Sequence, residues 1–444
     1  MRLAVISDTH FGDEHCTLVT PGQDGKSPRI GPAYSAMKET VGKVDYLVLL
    51  GDIIDFSVAS YQRAYKHARV FFRQVQQDEI AREYIYVPGN HDFDIWHTVE
   101  HQVNVINQLK QGQLPRAFRR SVPGVIDDRP GASESKFLLP DVPPHPEWHE
   151  DQAYYGNLFL DHITRTKRSE GEKLTFNFAY PNVYLITDEG DCTLLTHGHY
   201  FESYWSFAAE WAMQLAGDDL KLESDGEMNL REMVGINLPL NQLACTGIGQ
   251  AQPLTPLLRQ LQKEVAAGRT KALRKYIGRL EATLKKSMKL SWLARWVRSY
   301  MFRLLKGRVL SHVAGIEQAR YSKQFLQRPS VRERFRGYYQ TSLHELERLQ
   351  REHDLDIPEP THVIFGHTHQ PISWDSDELM TRVNGKVIQL CNTGGWLLRE
   401  EKGQVDFVGA EIVIYESGKG VKSKSIGIAD LDPECALGGT YRDM

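Results

Sequence analysis

The 444-residue chain is 41% hydrophobic and 25% charged, with a net charge of -4, the composition of an ordinary soluble globular protein with room for a large core. Its five cysteines, odd in number and never spaced as CxxC, exclude a disulfide framework and a thiolate zinc site and point to a reducing compartment. No run of about 18 uncharged apolar residues is present, which excludes a membrane-spanning helix, and the opening MRLAVISDTH reads as a strand rather than a signal peptide. A cytoplasmic protein, free or peripheral to a membrane, is therefore expected.

In chain order, five short apolar runs each end in a polar cluster. Residues 2-7 lead into Asp8-Thr9-His10, 45-50 into Gly51-Asp52, and 83-88 into Gly89-Asn90-His91-Asp92. Residues 192-196 lead into His197-Gly198-His199, and 361-365 into Gly366-His367-Thr368-His369. Continuous apolar runs fit buried strands, and the helical spacing over 60-80 makes the opening βαβαβ-like. In open α/β sheets ligands gather at the carboxyl ends of strands, where all five clusters fall. Residues 113-151, rich in Pro, Gly and Asp, read as a long loop. Residues 201-355 lack strand signals and read as a helical insert or lid, dividing a core of residues 1-200 and 356-444. Strand character returns at 386-391 and 404-416.

The five clusters share one chemistry. Divalent Mn, Fe and Zn favour mixed carboxylate and imidazole donors, and two ions held close together need a bridging anion. Asp8 and His10, two apart on a strand, point to the same face. The neighbouring glycines let backbone approach a bound ion closely. Each cluster alone has a plainer reading as a turn or a structural pair. All five in this order, each after a strand, argue for a metal centre.

The series D8-x-H10, G51-D52-x-x-D55, G89-N90-H91-D92, H197-G-H199 and G366-H367-x-H369 resembles the calcineurin-like metallophosphoesterase superfamily. The resemblance implies an α/β, four-layered fold: two mixed β-sheets flanked by helices, here with a large helical insert. It also implies two divalent metal ions, manganese first, with iron, zinc, nickel and cobalt as alternatives. Asp8, His10 and His369 would bind one; Asn90, His197 and His367 the other; Asp52 would bridge both. A metal-bridging hydroxide would attack phosphorus while His91 serves the leaving group and Asp55 orients His91. His199 is expected near the phosphate, as a substrate-binding residue and not a ligand.

The stretches GDIIDFS, GNHDFDIWH and CNTGGW look most like the branch containing UDP-2,3-diacylglucosamine pyrophosphatase, although members of that branch typically carry Arg where this chain has His91. A phosphodiester or pyrophosphate bond in a lipid-linked or nucleotide-type substrate is thus expected. The alternatives are a nuclease or nucleotide phosphodiesterase, a phosphomonoesterase, and a non-catalytic binding protein. Residues 255-312 hold fifteen Lys and Arg against Glu264 and Glu281, and Trp292, Trp296 and Tyr300 recur at helical spacing. For residues 285-312 three readings stay open: contact with a membrane surface or lipid, contact with nucleic acid, or packing on the protein core.

Overall fold

The computed structural model describes residues 1-22, 27-133, 135-142, 174-202, 206, 228-242, 245, 327-401 and 404-432. Two mixed sheets organise them. The first runs β17-β16-β1-β4-β5-β8, with β1 (Arg2–Ile6), β4 (Val44–Leu49), β5 (Ala81–Tyr86), β8 (Thr175–Phe178), β16 (Ala410–Glu416) and β17 (Gly420–Ile426). The second runs β12-β13-β11-β10-β9-β6-β7. Its strands are β6 (Gly124–Asp127), β7 (Phe137–Leu138), β9 (Asn182–Ile186), β10 (Cys192–Thr196), β11 (His362–Phe365), β12 (Met380–Val383) and β13 (Lys386–Asn392). Small hairpins pair β2 (Val19–Pro21) with β3 (Pro28–Ile30), and β14 (Leu398–Glu401) with β15 (Gln404–Phe407).

The opening is the βαβαβ pattern expected. β1, β4 and β5 are parallel neighbours, joined by α1 (Tyr34–Val41) and α2 (Tyr61–Gln77). Ser60 caps α2 by accepting a bond from the Arg63 amide, and Ala64, Ala68, Phe71, Phe72 and Val75 form its buried stripe. Phe72 meets Tyr84 and Phe176 edge-on, which fastens α2 to the first sheet. Every residue of β9 and β10 is buried, as their mostly apolar side chains favour when both faces are covered. One apolar core joins both sheets. The chain is thus mixed α/β with two mixed sheets and helices, the fold class read from its sequence.

Two expectations need correction or narrowing. Residues 113-151 are not one long loop: β6 and β7 lie within them and form an edge of the second sheet, because Val125, Ile126 and Phe137 supply buried apolar side chains. In the expected insert, the described helices are α5 (Leu230–Gln242) and α6 (Pro329–His353), after α3 (Phe93–His101) and α4 (Asn107–Lys110). α6 is bound to the second sheet: its buried Glu345 accepts bonds from Ser121 (2.9 Å) and the Tyr184 hydroxyl (2.8 Å), and its Ser342 receives Asn182 (3.1 Å). The basic stretch 285-312 lies outside the described residues. No described helix is long and apolar enough to cross a membrane.

Candidate metal centre

The loops after β1, β4, β5, β10 and β11 converge at the strand ends. Backbone bonds lace the first two together: the amides of Asp8, His10 and Phe11 donate to the carbonyls of Gly51, Asp52 and Ile53 at 3.0, 2.9 and 2.8 Å. Five of the expected site residues, Asp8, His10, Asp52, His367 and His369, adopt positive φ between 48° and 69°. Non-glycine residues seldom do so, and each such position costs on the order of 1-3 kcal/mol. The fold therefore holds strained backbone where these side chains are aimed.

Two clusters result, and both are buried. In the first, Asp8, His10 and His369 present donor atoms to one another. His369 Nε2 lies 3.2 Å from Asp8 Oδ1 and 3.0 Å from His10 Nε2. In the second, Asp52, His197 and His367 converge, and Asn90 Oδ1 lies 3.2 Å from His197 Nε2. Asp52 Oδ2 stands between them, 3.2 Å from His197 Nε2 and 3.8 Å from His10 Nε2. The structure thus brings Asp8, His10, Asp52, Asn90, His197, His367 and His369 together at one end of the strands.

The donor set fits two cations. His10 Nδ1 faces Asp55 Oδ2 at 2.7 Å and His197 Nδ1 faces the Leu50 carbonyl at 2.9 Å, so both rings turn Nε2 inward. Two ring nitrogens 3.0 Å apart beside a carboxylate repel unless a proton or cation lies among them. Electrostatics agree. Burial works to raise the Asp8, Asp52 and Asp55 carboxyls, but the surrounding histidines hold all three well below the usual carboxylate range. Burial opposes charging of His197, yet Asp52 and Asp8 lift it to about 9. Asp92 moves the other way, to about 6, through burial and the Asp52 charge.

His91 sits at the rim, its side chain 14% exposed, against 0% for Asp52. Its Nδ1 lies 2.9 Å from Asp55 Oδ2 and 2.6 Å from Ser57 Oγ, while its Nε2 lies 4.0 Å from Asp52 Oδ2. His199 is buried behind the second cluster, its Nε2 3.3 Å from the Tyr180 hydroxyl and its ring centroid 5.5 Å from that of His197. The CNTGGW segment buttresses the site: Asn392 Nδ2 donates to the Gly366 carbonyl at 2.8 Å, and the Trp396 amide donates to the Asp8 carbonyl at 3.1 Å.

One neighbour is absent from the motifs. Glu202, 2% exposed, places Oε2 3.2 Å from His367 Nε2. Its signal in the sequence is slight, an acid closing the run HGHYFE. Ser57 and Cys245 are likewise unmarked; Cys245 Sγ donates to the His91 carbonyl at 3.0 Å.

No curated protein matches the chain. Residues 1-203 match the family model for calcineurin-like phosphoesterases, and β11 brings His367 and His369 to the same strand ends from outside that segment. With two buried Asp/His clusters at those ends, residues 1-203 carry a calcineurin-like phosphoesterase domain, and the chain is a metal-dependent phosphoesterase hydrolase.

Proposed function

We propose that the chain hydrolyses a phosphodiester or pyrophosphate bond, with Asp8, His10 and His369 holding one divalent cation, Asn90, His197 and His367 a second, and Asp52 shared. The observation that supports this most is the position of Asp52 Oδ2 between the two clusters. Bound there, two cations would neutralise phosphate oxygens and acidify an attacking water. The chain's own groups supply the rest. Asp8 and Asp52 stay ionised in a buried pocket and repel other anions until cations enter. His91, at the rim and held through Nδ1 by Asp55 and Ser57, has Nε2 4.0 Å from Asp52 Oδ2, from where it could give a proton to the departing oxygen. His199 is proposed to shape the phosphate pocket from behind the second cluster.

Manganese is the proposed native metal, on the mixed carboxylate, amide and imidazole donors. A lipid-linked substrate akin to that of the UDP-2,3-diacylglucosamine pyrophosphatase branch is the favoured class, supported by the basic, tryptophan-bearing sequence 285-312 and by CNTGGW. That stretch is proposed to make peripheral membrane contact, within an insert bounded by the core segments 1-200 and 356-444. The test is hydrolysis of bis-p-nitrophenyl phosphate beside p-nitrophenyl phosphate by metal-stripped and Mn²⁺-reconstituted protein. Diester turnover restored by Mn²⁺ supports the reading. Turnover of the monoester alone would replace it with a phosphatase, and no turnover of either with metal bound would point to a binding protein.

A further inference from the structure

We infer that Glu202 is a positioning residue for the second metal position, fixing the ring of His367 and tying that position to the start of the insert. The inference rests on the two-cation reading and goes beyond its ligand set. Two histidines of the centre have the nitrogen that faces away from the clusters held by an oxygen. His10 uses Nδ1 toward the Asp55 carboxylate at 2.7 Å, and His197 uses Nδ1 toward the Leu50 carbonyl at 2.9 Å. Beside His367 stands the Glu202 carboxylate, its Oε2 3.2 Å from Nε2, an ion-pair distance. With Nε2 held beside that carboxylate, Nδ1 would be the nitrogen left to donate an electron pair, the opposite one from that presented by His10 and His197.

Glu202 cannot be read as a solvated surface acid, since it is 2% exposed and His367 is fully buried. A buried carboxylate is retained only against a partner that offsets its desolvation, and a metal-polarised imidazole is such a partner. The residue also has a second attachment. Its backbone carbonyl accepts the Ser206 amide at 3.3 Å and the Ser206 hydroxyl at 3.0 Å. The 3₁₀ turn His199–Phe201 leads into it directly from the His197-Gly198 loop. Glu202 is therefore the link through which the chain leaving the second sheet is joined to a proposed ligand.

The test is Mn²⁺ binding by equilibrium dialysis with metal analysis, on full-length wild type, Glu202→Ala and Glu202→Gln. Wild type is expected to take up two equivalents. Glu202→Ala should weaken one equivalent by about 10- to 100-fold and leave the other unchanged, with Glu202→Gln, which keeps shape and one acceptor oxygen, between the two. Wild-type isotherms for both variants would overturn the inference, as would equal weakening of both equivalents. Should Glu202→Ala fail to fold, Glu202→Gln decides alone, a wild-type isotherm in that variant being the negative result. Wild type binding no Mn²⁺ would instead overturn the two-cation reading, which keeps the two failures distinct.

Discussion

Asp55 Oδ2 lies 2.7 Å from His10 Nδ1, and the same oxygen lies 2.9 Å from His91 Nδ1. One carboxylate thus orients a proposed metal ligand and the proposed proton donor together. Its other oxygen is fixed by the Ser57 amide, the Ser57 hydroxyl and the Val58 amide at 2.9, 2.7 and 3.0 Å. Sequence reasoning connects Asp55 to His91 alone; the geometry makes it a junction between metal binding and proton transfer.

Asp55→Asn should therefore have two separable effects. The amide keeps the shape but offers only one acceptor oxygen to groups that now use both. Turnover is expected to fall by about 10²- to 10⁴-fold, the range typical of lost acid–base function. The loss should grow for aryl diesters with poorer leaving groups, and one Mn²⁺ equivalent should bind more weakly. A series of substituted aryl diesters, read beside metal content, checks both. Equal losses across the series with unchanged metal would contradict the junction.

Metal affinity should rise with pH. In the metal-free protein His197 is lifted to about 9 and Asp52 is ionised, so at neutral pH a bound cation must displace the His197 proton. Stability of the metal-free form runs the other way. A histidine raised from 6.5 to about 9 on folding contributes stability that is complete below 6.5 and is lost as pH rises through 9. Between these values the Tm of the stripped protein should fall while the increment given by saturating Mn²⁺ grows. Parallel thermal melts with and without Mn²⁺ at pH 6, 7.5 and 9 measure both slopes, and an increment independent of pH would refute the proton displacement.

Away from the centre, Asp141 clasps the segment after β7 to both described helices of the expected insert. Arg348 of α6 reaches it with two bonds of 2.8 Å, and Arg231 of α5 with one of 2.9 Å. Burial works to raise this carboxyl, but the Arg348 bond and the two guanidinium charges hold it at about 2. A depressed carboxyl contributes stability that is present above its unfolded value of 3.8 and is lost as pH falls through about 2. Arg348→Ala should cost roughly 2 kcal/mol at pH 7, since Arg231 remains to offset the charge. The cost should shrink toward pH 2. Urea unfolding of both proteins at pH 7 and pH 3 gives the comparison.

What the sequence made legible was set by where the information lies. Asp8, His10, Asp52, Asn90, His197, His367 and His369 each follow a short apolar run, and the strand fixes where its own end falls. Local pattern therefore placed all seven residues at one edge. β6 escaped because its four residues sit among Pro, Gly and Asp, and a strand that short is stabilised by its neighbour β9 rather than by its own sequence. Glu202 escaped for a related reason: its relation to His367 spans 165 positions of chain and exists only through the β10–β11 pairing. The polar face of α6 reads as solvent-exposed until Tyr184 and Asn182 are seen to meet Glu345.

Gly89 gives the sharpest test of the close approach that the glycines allow. Its φ is ordinary, so nothing in its own backbone demands glycine. A β-carbon there would collide with Asp52 Oδ1, lie 2.6 Å from the Asp52 amide nitrogen and 2.7 Å from His197 Nε2. Backbone cannot yield as a flexible side chain would, so Gly89→Ala must displace either Asp52 or the Asn90-His91 loop. Either shift separates groups that now meet at 3.2 Å across the second cluster. The variant should fold, at a cost of about 1-3 kcal/mol for the overpacking. It should lose most turnover and at least one Mn²⁺ equivalent, because a displacement near 1 Å is enough to spoil metal-ligand geometry. Gly112→Ala is the matched control: an added β-carbon there meets nothing within 4 Å, and its φ of +71° exacts only the backbone cost. Loss of metal in the first variant with full retention in the second would tie the effect to the crowding of Asp52 and His197. Full metal binding and wild-type turnover in Gly89→Ala would show that the two loops have slack, and that the sharing of Asp52 between clusters does not depend on their close approach.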